Sequence, residues 1–218
     1  MMTIRERIEN ILSQLPSTVK LVAVSKLHSV SEIHEAYDAG QRIFGESRPQ
    51  EMVAKVPLLP GDIEWHFIGH LQSNKIKMIL PYVSLIHSVD SERLLERIDR
   101  QAALSGRVVD CLIQLHIAIE DTKQGFPVNE ALEQVPFFRD RYKNVRIRGL
   151  MGMASFVEDM EQVRGEFRTL KSAFDKLKPE FPKFDTLSMG MSHDWQIAVE
   201  EGATIVRIGS IIFGPRCY

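Results

Sequence analysis

The sequence predicts an α/β fold, a single (β/α)8 TIM-type barrel, and three observations carry that prediction. Short apolar runs alternate with amphipathic stretches along the whole chain, the runs number eight, and 218 residues suffice for one such barrel near its lower size limit. Strands separated by helices cannot join as hairpins, so they pair in parallel through right-handed crossovers. An open doubly wound sheet shares the alternation and stays open as the competing architecture.

The elements follow in order. Ile4, Ile8, Ile11, Leu12 and Leu15 recur at helical spacing, and Pro16 stops that first helix. Strands are expected over residues 21–26, 42–47, 64–69, 84–89, 109–117, 146–151, 186–191 and 203–209. Helices are expected over 30–39, 49–56, 74–80, 91–105, 128–142, 157–177 and 193–200. Ser29 or Ser31, Ser73 and Asp90-Ser91 stand where N-caps belong. These seven helices leave one wall for the N-terminal helix to cover. No Pro/Gly/Ser-rich linker or repeat divides the chain, so residues 1–218 are expected to form one domain.

Composition narrows the function classes. Apolar residues make up 44% and charged residues 26%, which is globular usage. Twenty-seven Lys and Arg against 29 Asp and Glu give a net charge of −2, and the isoelectric point is near 6.4. That balance offers no electrostatic reason to expect nucleic acid or an anionic membrane as partner. Cys111 and Cys217 are too few for a disulfide framework and too far apart for a paired zinc motif. No apolar run is long enough for a membrane span, and the first residues lack the apolar core of a signal peptide. The expectation is a cytoplasmic protein, monomeric because no exposed heptad marks a coiled-coil partner.

In a barrel, chemistry belongs at the C-terminal strand ends. Val22, Val24 and Lys26 alternate on one face of the first strand, so an inward face would end in an ammonium group. Desolvation there lowers a lysine pKa, and a neutral amine adds to aldehydes; an ordinary exposed lysine at a strand end is the alternative. Leu187-Ser188-Met189-Gly190-Met191-Ser192 and Val206-Arg207-Ile208-Gly209-Ser210 combine glycines with hydroxyl donors after the seventh and eighth strands. Barrels often bind phosphate there, and a short helix after Gly209 would add its amides; two plain tight turns are the alternative. Arg207 shares the face of Gly209, so it projects into the same mouth or pairs with an acid such as Glu46 or Asp194. A phosphate subsite, a strand-end lysine and an inward arginine together fit pyridoxal phosphate.

These segments resemble a known family. Ala23-Val24-Ser25-Lys26, Phe44-Gly45-Glu46, the run from Trp65 to Lys75, Leu187 to Ser192, Val206-Arg207-Ile208-Gly209 and Ile212-Phe213-Gly214 are similar, in order, to the pyridoxal phosphate homeostasis proteins. The resemblance runs from about residue 20 to the C-terminus. It implies a barrel like the N-terminal domain of alanine racemase, with pyridoxal 5'-phosphate held as an aldimine on Lys26. It implies Arg207 at the pyridine nitrogen and Ser192, Gly209 and Ser210 at the phosphate. Ser47 and Met191 complete the cofactor-binding candidates. Many members follow Gly-Glu with Asn and an aromatic residue where this chain has Ser47-Arg48-Pro49.

The family implies a non-catalytic carrier, with pyridoxal-phosphate-dependent apoenzymes as recipients. A racemase-like enzyme is the alternative: Lys26 would serve one face of the substrate carbon, and the opposite base would be a tyrosine. Of Tyr37, Tyr82, Tyr142 and Tyr218, only Tyr218 is expected near the mouth, and the chain ends without the second domain of racemases. A lysine-dependent sugar-phosphate aldolase is a third reading.

The remaining motifs are expected to be structural. His66 and His70 straddle a strand end, which suits hydrogen bonding at the mouth better than zinc. Residues 121–126 form a pocket rim or a solvated turn. Arg139, Arg141, Lys143, Arg146 and Arg148 read as a solvated helix end, and Met151, Met153, Met189 and Met191 as packing around the pocket.

Overall fold

A computed structural model describes residues 2–120 and 124–214. Strands β1 (Lys20–Val24), β2 (Ile43–Glu46), β3 (Glu64–Phe67), β4 (Val83–Val89) and β5 (Val109–His116) come first, then a two-residue β6 (Phe126–Pro127). β7 (Val145–Met151), β8 (Thr186–Ser188) and β9 (Ile205–Ile208) follow. Every pairing is parallel, and β4 pairs with β5 while β9 pairs with β1, so eight strands close into a barrel with β6 attached beside β5. Closure settles the choice between barrel and open sheet.

Four of the helices start where a side chain satisfies the first free amides. Helix α1 (Ile4–Gln14) carries a Thr3/Glu6 capping box and α2 (Val30–Asp38) a Ser29/Glu32 box. Ser91 caps α5 (Glu92–Leu104), and Asp159 caps α7 (Met160–Leu177), three residues later than the apolar pattern indicated. Between them stand α3 (Pro49–Lys55), α4 (Ile76–Ile79) and α6 (Val128–Arg141). The last two are α8 (Trp195–Glu200) and α9 (Ser210–Phe213). Helix α1 packs on α2 and α9, and Arg7 donates to the Ile212 carbonyl at 3.1 Å, so α1 does cover the wall that short α9 leaves.

Two apolar clusters result from strand alternation. The larger lies between barrel and helices and includes Phe44, Phe67, Phe167 and Leu170. The smaller fills the barrel with Val22, Leu85, Leu112, Met151 and Ile205. Each fully buried aliphatic side chain contributes about 1.5–3 kcal/mol. Gly149 is fixed by sterics: its φ is +154°, and a Cβ there would lie 1.7 Å from the Thr186 carbonyl oxygen. No helix among the described residues is long and apolar enough to cross a membrane.

Several strands are shorter than the apolar runs. β1 ends at Val24 and β8 at Ser188 because the following residues leave the ladder to build the mouth, Leu27 at φ +67° and Gly190 at φ +91°. Met189 also departs from expectation. Ser188 faces inward, so its neighbour turns outward and Met189 packs into the large outer cluster instead of around the pocket.

Candidate functional site

The C-terminal mouth is built from three segments remote in sequence. Ladder register sets Ala23 beside Ile208 and Val24 beside Gly45, which brings Lys26, Gly209 and the end of β2 to one rim. A Cβ on Gly209 would lie 3.2 Å from both Cβ and the carbonyl oxygen of Val24, so a side chain there would press the two strand ends apart by a few tenths of an ångström. The Gly209 amide donates to the Ser192 hydroxyl at 3.4 Å, tying the loop after β8 to the end of β9. Ser210 opens α9, whose Ile212 and Phe213 amides both donate to the Gly209 carbonyl at 2.9 Å. Lys26 and Ser47 are half-buried in the turns after β1 and β2, and Met191 and Ser192 are half-buried after β8.

The turn carrying Lys26 rests on a buried charge cluster. Lys55 donates to Glu46 Oε1 at 2.8 Å, to Glu51 Oε1 at 2.6 Å and to the Ser25 carbonyl at 2.8 Å. The Ser25 hydroxyl donates to Glu46 Oε1 at 2.7 Å, and the Leu27 amide donates to Glu51. Both residues flanking Lys26 are therefore held by acids that Lys55 neutralises. Burial pushes the Glu46 carboxyl up, against the Lys55 charge and hydrogen bond. A second buried acid, Asp194, accepts from the Met191 amide and secures the loop after β8. Burial raises its pKa as well, against that amide and the nearby His193 and Arg207 charges.

Arg207 lies inside the barrel. Its guanidinium donates to the Ser188 hydroxyl at 2.6 Å and to the Gly152 carbonyl at 3.2 Å, and it has no ion pair among the described residues. Glu46 is taken by Lys55 and Ser25, and Asp194 acts on Arg207 only at longer range, so the salt-bridge alternative fails. Burial lowers the Arg207 pKa to about 10, with Asp194 pulling the other way, so the group stays charged at neutral pH.

The line continues below Arg207. Ser188 Oγ lies 2.9 Å from His87 Nδ1, and His87 Nε2 lies 2.9 Å from His66 Nδ1. Burial holds His66 at a pKa of about 3, helped by the Lys20 charge, and burial first, then His66 and Arg207, holds His87 well below its usual value. His87 and Ser188 were missed from sequence. Their signal is the alternation of β4 and β8, which sets His87 two residues from inward Leu85 and Ser188 two from Thr186 on the inner face.

His66 and His70 do not converge. His66 is inside the barrel, whereas His70 sits on the rim beside Asp90 at 3.1 Å, and no cluster that could hold a metal exists among the described residues. The loops after β5 and β7 are joined where the Ile119 amide donates to Ser155 Oγ at 3.0 Å. Glu166 of α7 accepts from the Ser155 amide and hydroxyl at 2.6 and 2.7 Å. Residues 121–123, Cys217 and Tyr218 lie outside the described residues. The other tyrosines are placed away from the mouth: Tyr37 on α2 bonds Asp62, Tyr82 precedes β4, and Tyr142 after α6 bonds Glu92.

Comparison with known proteins matches residues 1–217 to the family described as alanine racemase, N-terminal domain. The pyridoxal phosphate homeostasis protein of Aquifex aeolicus is 42% identical over 201 residues, covering 91% of this chain and 88% of that protein. The protein of the same name from Vibrio alginolyticus is 39% identical over 233 residues and covers both chains fully. Among solved structures, PipY of Synechococcus elongatus with pyridoxal phosphate bound superposes with a TM-score of 0.89 at 39% identity, over 97% of this chain and 100% of PipY. An alanine racemase of Clostridium difficile shares the fold at a TM-score of 0.84 and 16% identity, over 98% of this chain and 56% of the racemase.

Proposed function

Because the chain belongs to the alanine racemase N-terminal-domain family, we propose that it binds pyridoxal 5'-phosphate and serves intracellular homeostasis of that cofactor without substantial turnover. The observation that carries this reading is the convergence of Lys26, the Ser192–Gly209 pair and buried Arg207 on one end of the barrel. The residues present fit the group. Without a Cβ, Gly209 lets the end of β9 lie close against Val24, and Arg207 spends two of its five donors on acceptors among the described residues.

When bound, the cofactor supplies an electrophilic aldehyde and a ring that can withdraw electrons. Lys26 is assigned as the amine that holds the aldehyde covalently, its turn kept in place by the Lys55 cluster. Ser192, Gly209 and Ser210 are assigned to the phosphate, and Ser47 and Met191 to the walls. Arg207 is assigned to the pyridine nitrogen. A guanidinium there would donate a hydrogen bond without giving up its proton, which would leave the ring a weak electron sink. The relatives' names support the same reading, and PipY holds pyridoxal phosphate in its structure. Delivery to apoenzymes, a cytoplasmic location and a monomeric state complete the proposal.

The test is a visible absorption spectrum of the purified protein before and after borohydride, with peptide mapping of the product. The expected result is a yellow protein whose reduced pyridoxyl group maps to Lys26, and no racemisation of amino acids above background. A protein that stays colourless with added pyridoxal phosphate would overturn the assignment.

A further inference from the structure

The far end of the barrel holds a cavity of about 460 Å³, within the range of small-molecule sites. Its wall is made from strand starts: Lys20, Glu64, Ser84, Asp110 and Thr186, with His66 at its inner end and Arg148 at its side. The acids there are unequal. Asp110 is held by Arg148 at 2.7 Å and Arg146 at 3.2 Å, and Asp185 by Arg148 at 2.8 Å. Lys20 has no carboxylate within ion-pair distance among the described residues, and its charge is felt at His66.

Hydrogen-bond direction decides what His66 offers the cavity. Arginine can only donate, so Ser188 Oγ accepts from Arg207. The Ser188 hydroxyl hydrogen has one acceptor among the described residues, His87 Nδ1. Neutral His87 then carries its hydrogen on Nε2 and donates to His66 Nδ1. Neutral His66 in turn carries its hydrogen on Nε2. The reverse direction leaves the buried Ser188 hydroxyl without an acceptor, at a cost of about 1–3 kcal/mol. His66 is 4% exposed, lines the cavity, and has His87 as its hydrogen-bond partner among the described residues, so an N–H donor is aimed into the cavity beside an ammonium.

We propose that the N-terminal mouth of the barrel is a second binding site, for a small oxyanion, with the His66 Nε2–H and Lys20 as its donors. The ligand class is a small organic carboxylate or phosphate. Glu64, which has no ion pair among the described residues, lies two residues before His66 on β3 and lines the same cavity, so its charge opposes the anion and limits the affinity. The inference does not depend on what the opposite mouth binds.

The experiment is a nitrogen-detected NMR titration of the imidazoles with inorganic phosphate and, separately, malonate, with His66 assigned by a His66→Gln variant. The expected result is an Nε2–H tautomer for both His66 and His87, and a saturable shift of His66 with at least one anion. Lys20→Ala is expected to weaken that binding at least fivefold, and Glu64→Gln to strengthen it. Saturation with phosphate alone identifies a phosphate site, with malonate alone a carboxylate site, and with both a general oxyanion site. An Nδ1–H tautomer of His66, no saturable shift up to about 50 mM, within the usual span of weak affinities, or a shift unchanged in Lys20→Ala overturns the proposal. Failure of the cofactor reading shows separately, in the absorption spectrum.

Discussion

Each mouth of the barrel sets one cation between two acids, and the two mouths place these triads in opposite surroundings. At the N-terminal mouth Arg148 bridges Asp110 and Asp185 across the strand starts, with side chains 19–56% exposed. At the C-terminal mouth Lys55 meets Glu46 and Glu51 beneath the strand ends, where Lys55 is 8% and Glu46 0% exposed. Water screens the first network and is excluded from the second, so the first is worth little to stability and the second is costly to disturb. The difference teaches where rigidity is needed. The deep cluster fixes the Ser25 and Leu27 backbone on either side of Lys26, whereas the shallow one pairs Asp110 and Asp185 at the edge of an open cavity.

Four experiments probe that contrast, the largest effect first. Lys55→Met leaves Glu46 and Glu51 buried without their cation and is expected to cost about 3–5 kcal/mol in urea unfolding. A loss below 1 kcal/mol, the size of an exposed pair, would erase the distinction between the mouths. Next comes Gly209→Val, which pushes a branched side chain against Val24 at the strand junction. It is expected to weaken retention of pyridoxal phosphate roughly tenfold, or about 1.4 kcal/mol, in equilibrium dialysis. Unchanged retention would remove Gly209 from the phosphate cradle.

The third is a pair of pH profiles of opposite sign. Burial raises the Glu46 pKa above its unfolded value, so its ionisation works against the fold, and stability is gained as pH falls through the folded pKa toward the unfolded value. Asp185 behaves the other way. Burial alone would raise it, but hydrogen bonds from Arg148 and Thr186 outweigh that and hold it low. Its contribution is therefore present above the unfolded pKa and lost as pH falls below about 4. Melting temperatures of Glu46→Gln are expected to lose the gain between neutral and mildly acidic pH, while Asp185→Asn flattens the acid limb only. The same change in both limbs would show that the two networks are coupled. The smallest effect belongs to Arg148→Lys, which gives up the planar fork on two half-exposed acids and is expected to cost about 1 kcal/mol or less.

Much of the architecture was legible in the residue pattern. The alternation of eight apolar runs with amphipathic stretches corresponds to the eight barrel strands, and Ser29 and Ser91 mark helix starts because their hydroxyls satisfy free amides locally, whereas Ser73 opens a short 3-10 turn and caps nothing. The inward parity of Val22 and Arg207 followed from the two-residue strand period, and their ladder pairing agrees with it. Lys26 stood out by its alternation with Val22 and Val24, and the segments around Ser192 and Gly209 because glycine with serine at a strand end is a local pattern. What was not legible required knowing which strands are neighbours. Met189 was placed by its parity relative to Ser188, and Lys55 carried no motif at all.

The sequence by itself determined the strand and helix order, the glycine and serine segments after the last two strands, and a lysine at the end of the first strand, because each depends on contacts within a few residues. Only the tertiary structure decided that Arg207 is bound by Ser188 and Gly152 instead of an acid, and that Lys55 neutralises Glu46 and Glu51. It alone decided that His87 and His66 carry Arg207's hydrogen bonds through to the opposite mouth. The physical reason is barrel closure. Joining β4 to β5 and β9 to β1 sets inward side chains from strands more than a hundred residues apart, such as His87 and Ser188, within hydrogen-bond distance inside a space too small for all of them to stay solvated.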